Sequence, residues 1–398
     1  MLEFKLLIVL FFAIAIGWLL GKFPFSKYWR QFKNRSWRKS YMEGIHLLLD
    51  EKPDHAIESF IERWDVNSEN FDLHNALANM LSKKGEVDRA IRIHGNLLDC
   101  EKLNQAQTRQ VTIDLANDYI KAGLLDRAER LLINVVNNSK EFEERALELL
   151  QQIYQLEKEW NKAIIVAEQL APKRSVAFEE RTLSSGKQLT KIAHYYCELA
   201  ESALIDDNFH LVEMSLENAL SVDKQCSRAL LLKAKLASQR QQIDRVLEAL
   251  AQLKAQDPHL LVEALPVIQV CFEQEPQQWL SYLKDFLTDY PSVAIEKVVY
   301  EALISSDEFE ANEFLTQAVK KRPTLQGLEL LLQEQLDVLH GAAKENLLLL
   351  HRLVTDVLKD KPSYQCRSCG FSGHHLYWLC PQCQSWDTVR RIRGSEGD

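Results

Sequence analysis

Four cysteines near the C-terminus have the types and spacing of a metal site. Cys366-x2-Cys369 and Cys380-x2-Cys383 are two thiolate pairs separated by ten residues. Two such pairs close a tetrahedral set of four sulfurs around one ion. Gly370 supplies a turn after the first pair, and Pro381 stiffens the second. Zinc and iron both accept four thiolates, and the residues leave that choice open. A closed four-sulfur site keeps no coordination position for a substrate, which argues against hydrolysis. Single-electron transfer stays open if the ion is iron. His374 and His375 stand between the pairs as substitute ligands, but beside four cysteines they read as surface or packing residues. Tyr377, Trp378 and Trp386 are available to pack around so small a core. Below about 40 residues a fold needs such a staple, so the ion is expected to hold residues 359–398 together. No Walker loop, Gly-rich dinucleotide turn or nucleophile elbow accompanies it. The scattered His, Asp and Glu residues form no triad or carboxylate pair. The chain therefore reads as a binding protein and not an enzyme.

The elements that carry this ribbon are helical. The 398 residues are 46% hydrophobic and 26% charged, ordinary for a chain with a core, and contain only 13 Gly and 10 Pro. Residues 40–358 show helical periodicity and internal repetition. Ala56, Ala90, Ala128 and Ala163 each precede aliphatics at helical spacing, at steps of 34, 38 and 35 residues. Looser copies place Val212, Val246 and Ala311 in the same slot. A step near 34 residues is the period of a tetratricopeptide helix–turn–helix unit. A second small position, where the two helices of a unit cross, holds Gly44, Ala78, Ala116, Ala200 and Ala234. Gly85 and Gly123 fall in the turn between helices, and Pro258, Pro291 and Pro323 stop second helices. Roughly eight or nine units fit the length. The stretch near 172–189 breaks the period with Ser-Ser-Gly and reads as a loop. Trp279 occupies an expected small slot and marks an atypical unit. Cys100, Cys197, Cys226 and Cys271 are dispersed singly, as buried small hydrophobes in a reducing compartment. Stacked pairs form a superhelix whose long concave face suits an extended peptide or a partner helix.

The N-terminus differs from the rest. No charge occurs from Leu6 to Leu20. About 20 apolar residues make a helix of roughly 30 Å, the thickness of a hydrocarbon core. Residues 1–20 are therefore expected to be a transmembrane anchor, with Trp18 at one interface. Lys22, Lys27, Arg30, Lys33, Arg35, Arg38 and Lys39 follow without an acid. This basic juxtamembrane segment, residues 21–39, retains the bulk of the chain on the cytoplasmic side and binds anionic membrane lipids. A cleaved signal peptide is the rival reading, on Ala13-Ile14-Ala15. Against it stand an n-region without net positive charge, an apolar run continuing to Leu20, and the basic stretch that follows. The net charge is −9 overall but −18 over residues 43–358. An acidic body argues against nucleic acid and for a basic or mixed-charge partner.

The order of parts is specific. An N-terminal anchor, a basic collar, GEVDRAIRIH (85–94), HYYCELA (194–200) and a terminal CxxCGF…LYWLCPQC ending in IRG (392–394) resemble the lipopolysaccharide assembly protein B family over essentially the whole chain. The resemblance implies an all-α tetratricopeptide superhelix with a C-terminal rubredoxin-like metal-binding domain at 359–398. It places the metal ligands at Cys366, Cys369, Cys380 and Cys383. It also implies a single-pass protein of the cell inner membrane that restrains lipopolysaccharide synthesis, promoting degradation of the LpxC deacetylase by the FtsH protease. An inner-membrane lipopolysaccharide sensor protein is an expected further partner. The alternatives are a scaffold for lipopolysaccharide biosynthesis and transport proteins, and an iron-ribbon electron-transfer protein. No partner-contact residue is assignable from the sequence.

Overall fold

The computed structural model describes residues 70–171, 182–272, 276–338, 340–359 and 361–394. The anchor expected at 1–20, the basic segment at 21–39, Gly44 and Ala56 lie outside the described residues. No helix among the described residues is long and apolar enough to cross a membrane. The chain divides into two compact units, Met1–Phe142 and Glu143–Asp398.

In the first unit, α1 (Phe71–Lys83) pairs with α2 (Val87–Leu98), and α3 (Gln105–Lys121) with α4 (Leu125–Asn138). Ala78, Ala90, Ala116 and Ala128 are fully buried, so the small positions let backbones approach closely. Around them Phe71, Leu81, Ile93, Leu97 and Val111 form the core. Asn104 starts α3 with a capping box: its side chain accepts from the Gln107 amide while the Gln107 side chain accepts from the Asn104 amide. A buried polar network joins the helices. The Ser82 hydroxyl donates to Asp118, His94 Nδ1 lies 2.6 Å from the same carboxylate, and Lys121 Nζ donates to Ser82.

The second unit continues the pairing with α5 (Glu143–Leu156), α6 (Trp160–Leu170), α7 (Thr182–Ile205), α8 (Phe209–Val222), α9 (Ser227–Gln239) and α10 (Ile243–Gln256). A 3-10 turn at Pro258–Leu260 leads into α11 (Leu261–Cys271). Then come α12 (Pro276–Asp289), α13 (Val293–Ile304), α14 (Glu308–Lys321), α15 (Leu325–Val338) and α16 (Ala342–Lys359). Ala163, Ala200, Val212, Ala234, Val246 and Ala311 are at most 1% exposed, as the repeat slots require. Trp279 is buried too, so its unit accommodates a large ring where others hold a methyl. Of the stretch near 172–189 expected to be a loop, 172–181 lie outside the described residues, while α7 begins at Thr182 and runs through Ser184, Ser185 and Gly186. Burial of Ile192, Ala193, Tyr195 and Cys197 further along the helix outweighs the weak helix preference of Ser-Ser-Gly, where Gly costs about 1 kcal/mol. Cys197 and Cys226 are buried but not isolated, with sulfurs 3.8 Å apart.

One turn recurs through both units. Gly85, Gly123, Lys158, Asp207 and Gln241 all have positive φ, between 53° and 88°. Each sits five residues before a small slot. In each turn the next residue's amide reaches back to the helix, as in Leu124 to Tyr119 O at 2.8 Å and Glu159 to Tyr154 O at 2.8 Å. This is the Schellman stop, which glycine adopts without strain. Only Gly85 and Gly123 announce it in the sequence; Lys158, Asp207 and Gln241 are forced into it by packing on both sides. An L-residue there costs about 1–2 kcal/mol in the folded state, while glycine adds unfolded-state entropy of about 0.4–1 kcal/mol. Gly123→Ala is therefore expected to lower stability by roughly 1 kcal/mol, and Lys158→Gly to raise it by about half as much. Urea unfolding of each variant beside the parent checks both signs.

The ribbon follows α16. Strands β1 (Tyr364–Cys366), β2 (Ser372–Gly373) and β3 (Val389–Arg391) form an antiparallel sheet in the order β2-β1-β3. Tyr364 pairs with Gly373 and Arg391, and Cys366 with Val389.

Candidate metal centre

The two cysteine pairs are built on one backbone design used twice. Gly370 N donates to Cys366 O at 3.0 Å, and Gln384 N donates to Cys380 O at 2.9 Å. Cys366 N donates to Phe371 O at 2.7 Å, and Cys380 N to Ser385 O at 3.0 Å. Gly370 and Gln384, each just after the second cysteine of its pair, both have positive φ. The first knuckle meets that requirement with glycine. The second imposes it on Gln384, whose side chain donates to Pro381 O at 3.0 Å.

The four sulfurs converge. Cys366 and Cys383 are 3.7 Å apart, Cys369 and Cys380 are 3.7 Å apart, and all four sulfurs lie within 4.8 Å of one another. A tetrahedral ion with metal–sulfur bonds of about 2.3 Å needs sulfur–sulfur edges of about 3.8 Å. The donor set therefore fits one zinc or iron ion, held by Cys366, Cys369, Cys380 and Cys383. The Ser368 amide points at the Cys366 sulfur from 3.4 Å, and the Thr388 hydroxyl lies 3.2 Å from it. Burial opposes a charge on Cys366, but Thr388 and the backbone amides of Cys369 and Ser368 outweigh it and bring the thiol down to about 6. His374 and His375 are exposed and belong to no ligand group among the described residues.

The ribbon's own core is small. Tyr364, Cys366, Cys380 and Val389 are buried, with Phe371 and Leu376 against them. Its two tryptophans do not complete that core; they reach out to the helices. The Trp386 ring stacks on His194 at 5.0 Å and 17°, and meets Tyr195 and Trp160 edge-on at 5.8 and 6.3 Å. Its Nε1 donates to Gln155 Oε1 at 2.9 Å, an oxygen that also accepts from the Tyr195 hydroxyl at 3.0 Å. Arg228 lies over both Trp378 and Trp386, at 5.7 and 5.9 Å, and pairs with Glu198 and Glu201 at 2.8 and 2.9 Å. Burial disfavours the Arg228 charge, but Glu201 and Glu198 outweigh it and hold the guanidinium above its ordinary range. At the far edge the Tyr364 hydroxyl donates to Glu263, Arg391 reaches Glu263 at 3.5 Å, and Arg390 reaches Asp257 at 3.7 Å. The ribbon is thus seated across α5, α7, α9 and α11, with Trp160 at the start of α6.

His194 makes this seat acid-sensitive. Burial, then Arg228 and Arg390, push its imidazole down to about 3. The unfolded chain takes that proton near the ordinary value of 6.5, whereas the folded chain resists it to about 3. The stabilisation is complete above 6.5 and is lost as the pH falls toward 3, with a slope of up to about 1.4 kcal/mol per pH unit. His194→Phe keeps a ring against Trp386 without a titrating nitrogen. The difference in urea stability between parent and variant is expected to shrink on acidification below 6.5. Thiolate protonation affects both proteins alike, so a pH-independent difference would remove His194 from this role.

A family profile described as rubredoxin metal binding domain matches residues 364–391. The lipopolysaccharide assembly protein B of Escherichia coli strain K12 is 32% identical over 389 residues, covering 97% of each chain. That of Haemophilus influenzae Rd is 31% identical over 408 residues, covering 98% of each. A tetratricopeptide repeat protein from Parabacteroides merdae superposes with a TM-score of 0.35 at 16% identity, over 67% of this chain and 100% of that one.

Proposed function

The chain belongs to the lipopolysaccharide assembly protein B family, and on that premise we propose that it is an inner-membrane adaptor that regulates lipopolysaccharide synthesis. In this reading it presents the LpxC deacetylase to the FtsH protease and answers to an inner-membrane lipopolysaccharide sensor. The observation that carries it is likeness to the curated relatives over 97% of both chains, extending through the terminal ribbon. The repeat units supply a peptide-binding surface, and their acidic charge suits a basic or mixed-charge client segment. An apolar stretch at residues 1–20 with a basic collar confines the repeats to the plane of the protease. Confinement raises effective concentration, so modest contacts suffice. The four-thiolate ribbon, locked onto α5, α7, α9 and α11, acts as a rigid brace for those units.

Deleting residues 1–20 is expected to lengthen the half-life of the deacetylase in cells. An unchanged half-life would count against tethering as the mechanism. The word "assembly" in the relatives' name favours a second reading, a scaffold that gathers biosynthesis and transport proteins. Crosslinking in membranes separates the two, because a scaffold captures those enzymes without the protease. Electron transfer requires iron, and a colourless zinc-loaded protein would dismiss it.

A further inference from the structure

Two cysteines outside the metal centre meet under the ribbon's seat. Cys197 lies on α7 and Cys226 is the N-cap of α9, and their sulfurs are 3.8 Å apart although 29 residues separate them in sequence. The pair is unevenly enclosed. Cys197 is fully buried, whereas Cys226 is 5% exposed and follows the exposed Lys224 and Gln225 in the turn between α8 and α9. A small molecule from solvent therefore reaches the pair from the Cys226 side. The two sulfurs also differ in their hold on a proton. The hydrogen bond from the Cys197 thiol, helped by the Ala229 amide, outweighs burial and brings Cys226 below the ordinary thiol value. Burial, then that same hydrogen bond, keeps Cys197 well above it. A thiol inclined to ionise, backed by a second thiol in contact, is the arrangement of an attacking and a resolving cysteine.

With hydrogen peroxide as oxidant the chemistry balances. The Cys226 thiolate, its proton given to solvent, attacks one peroxide oxygen. A sulfur–oxygen bond forms, the oxygen–oxygen bond breaks, and the leaving hydroxide takes a proton from solvent to become water. The Cys197 sulfur then attacks the Cys226 sulfur. The sulfur–sulfur bond forms, the sulfur–oxygen bond breaks, and the departing hydroxide takes the Cys197 proton as a second water. Two thiols lose two electrons and one peroxide gains them. A disulfide holds its sulfurs about 2.05 Å apart, so closure draws the pair together by about 1.8 Å, shared between the side chains and the helices that carry them. Those helices floor the ribbon's seat. His194 stands one turn before Cys197, Arg228 stands two residues after Cys226, and the Trp386 ring lies against both. Arg228 is tied in turn to Glu198 and Glu201, which follow Cys197 on α7. The carboxylate of Asp387, next to Trp386 in the ribbon, is near enough to act on Cys226. We propose that Cys197 and Cys226 form a reversible disulfide with a hydroperoxide as oxidant, and that its closure loosens the ribbon from α7 and α9. In a reducing compartment such a bond is transient, as a signal requires. This goes beyond the adaptor reading and does not rest on it.

The test is hydrogen peroxide treatment of the full zinc-loaded chain in neutral detergent micelles, followed by alkylation and peptide mapping by mass spectrometry. Zinc is the ion of choice because it has no redox chemistry of its own. Peptides joined through Cys197 and Cys226 are expected while the chain still holds its ion, and dithiothreitol should separate them. Cys226→Ser is expected to abolish the link and keep the fold, since serine is a favourable N-cap; metal content and thermal unfolding verify this. Cys197→Ala removes the resolving thiol, so oxygen should accumulate on Cys226 instead. Limited proteolysis between α16 and the ribbon reads the seat. Cleavage is expected to be faster in the oxidised parent than in the reduced one, and unchanged by peroxide in Cys226→Ser. The proposal is overturned if the ion is lost before Cys197 and Cys226 link, if Cys226 stays unoxidised in Cys197→Ala, or if the linked parent is cleaved no faster than the reduced one.

Discussion

Cys380→Ser is expected to release the metal and unfold the ribbon as a unit. Cys380 is fully buried, and its sulfur lies 3.7 Å from that of Cys369, as an edge of the thiolate tetrahedron requires. A serine hydroxyl stays protonated at neutral pH and contributes almost nothing to a thiolate site. The remaining ribbon has a core of Tyr364, Cys366 and Val389, too few residues to repay the ordering of its loops. Metal binding in comparable small domains supplies about 10–16 kcal/mol of apparent free energy, larger than any other single term available to it. The consequence extends into the repeats. Trp386 and Trp378 would leave the seat on α7 and α9, exposing His194 and Arg228 to water. Metal analysis, tryptophan fluorescence and limited proteolysis after α16 check the outcome together. A variant that keeps its metal and the parent's thermal midpoint would contradict the assignment of the ligands.

Trp386→Ala tests the seat separately from the site. Trp386 is not itself a metal ligand and does not belong to the ribbon's buried core; its ring is held by His194, Tyr195, Trp160 and Arg228. Truncating a buried tryptophan costs about 3–5 kcal/mol. Here the loss falls on docking, and it also strands the Gln155 carboxamide oxygen with only Tyr195 as donor. Metal content is expected to remain at one ion per chain, while the ribbon becomes susceptible to protease and the second unit unfolds at lower denaturant. Pairing the variant with His194→Ala should give a combined loss well below the sum of the two, because both remove the same stacked contact. Strict additivity would mean that the two rings do not act on each other.

The helices and the metal site were both legible in the chain because both are written in short-range spacing. Alanines recurring at steps of 34–38 residues mark helix crossings, and the crossings are where the structure buries them. Two CxxC pairs predispose their own knuckles, since each pair's hydrogen bonds close within six residues. Ser184, Ser185 and Gly186 carry a loop-like local preference but are helical, because α7 acquires its burial further along its length. His194 and Tyr195 open the stretch HYYCELA (194–200), yet nothing local to that stretch says what they hold. The left-handed turns at Lys158, Asp207 and Gln241 are unmarked in the sequence for the same reason: no glycine signals them, and only packing on both sides imposes them.

By itself, the sequence determined the kind of structure: repeated helix pairs, a four-thiolate ribbon, and an apolar, then basic, N-terminus. Only the tertiary structure decided that Trp386 bonds to Gln155 across 231 residues of chain, and that Tyr364 reaches Glu263 across 101. It alone set the sulfurs of Cys197 and Cys226 3.8 Å apart across 29 residues. Periodicity and ligand spacing are properties of neighbours along the backbone, so they survive as pattern. Docking is a choice among many compact arrangements, settled by one buried indole, one half-buried indole and one paired guanidinium, and no local spacing encodes which surfaces meet.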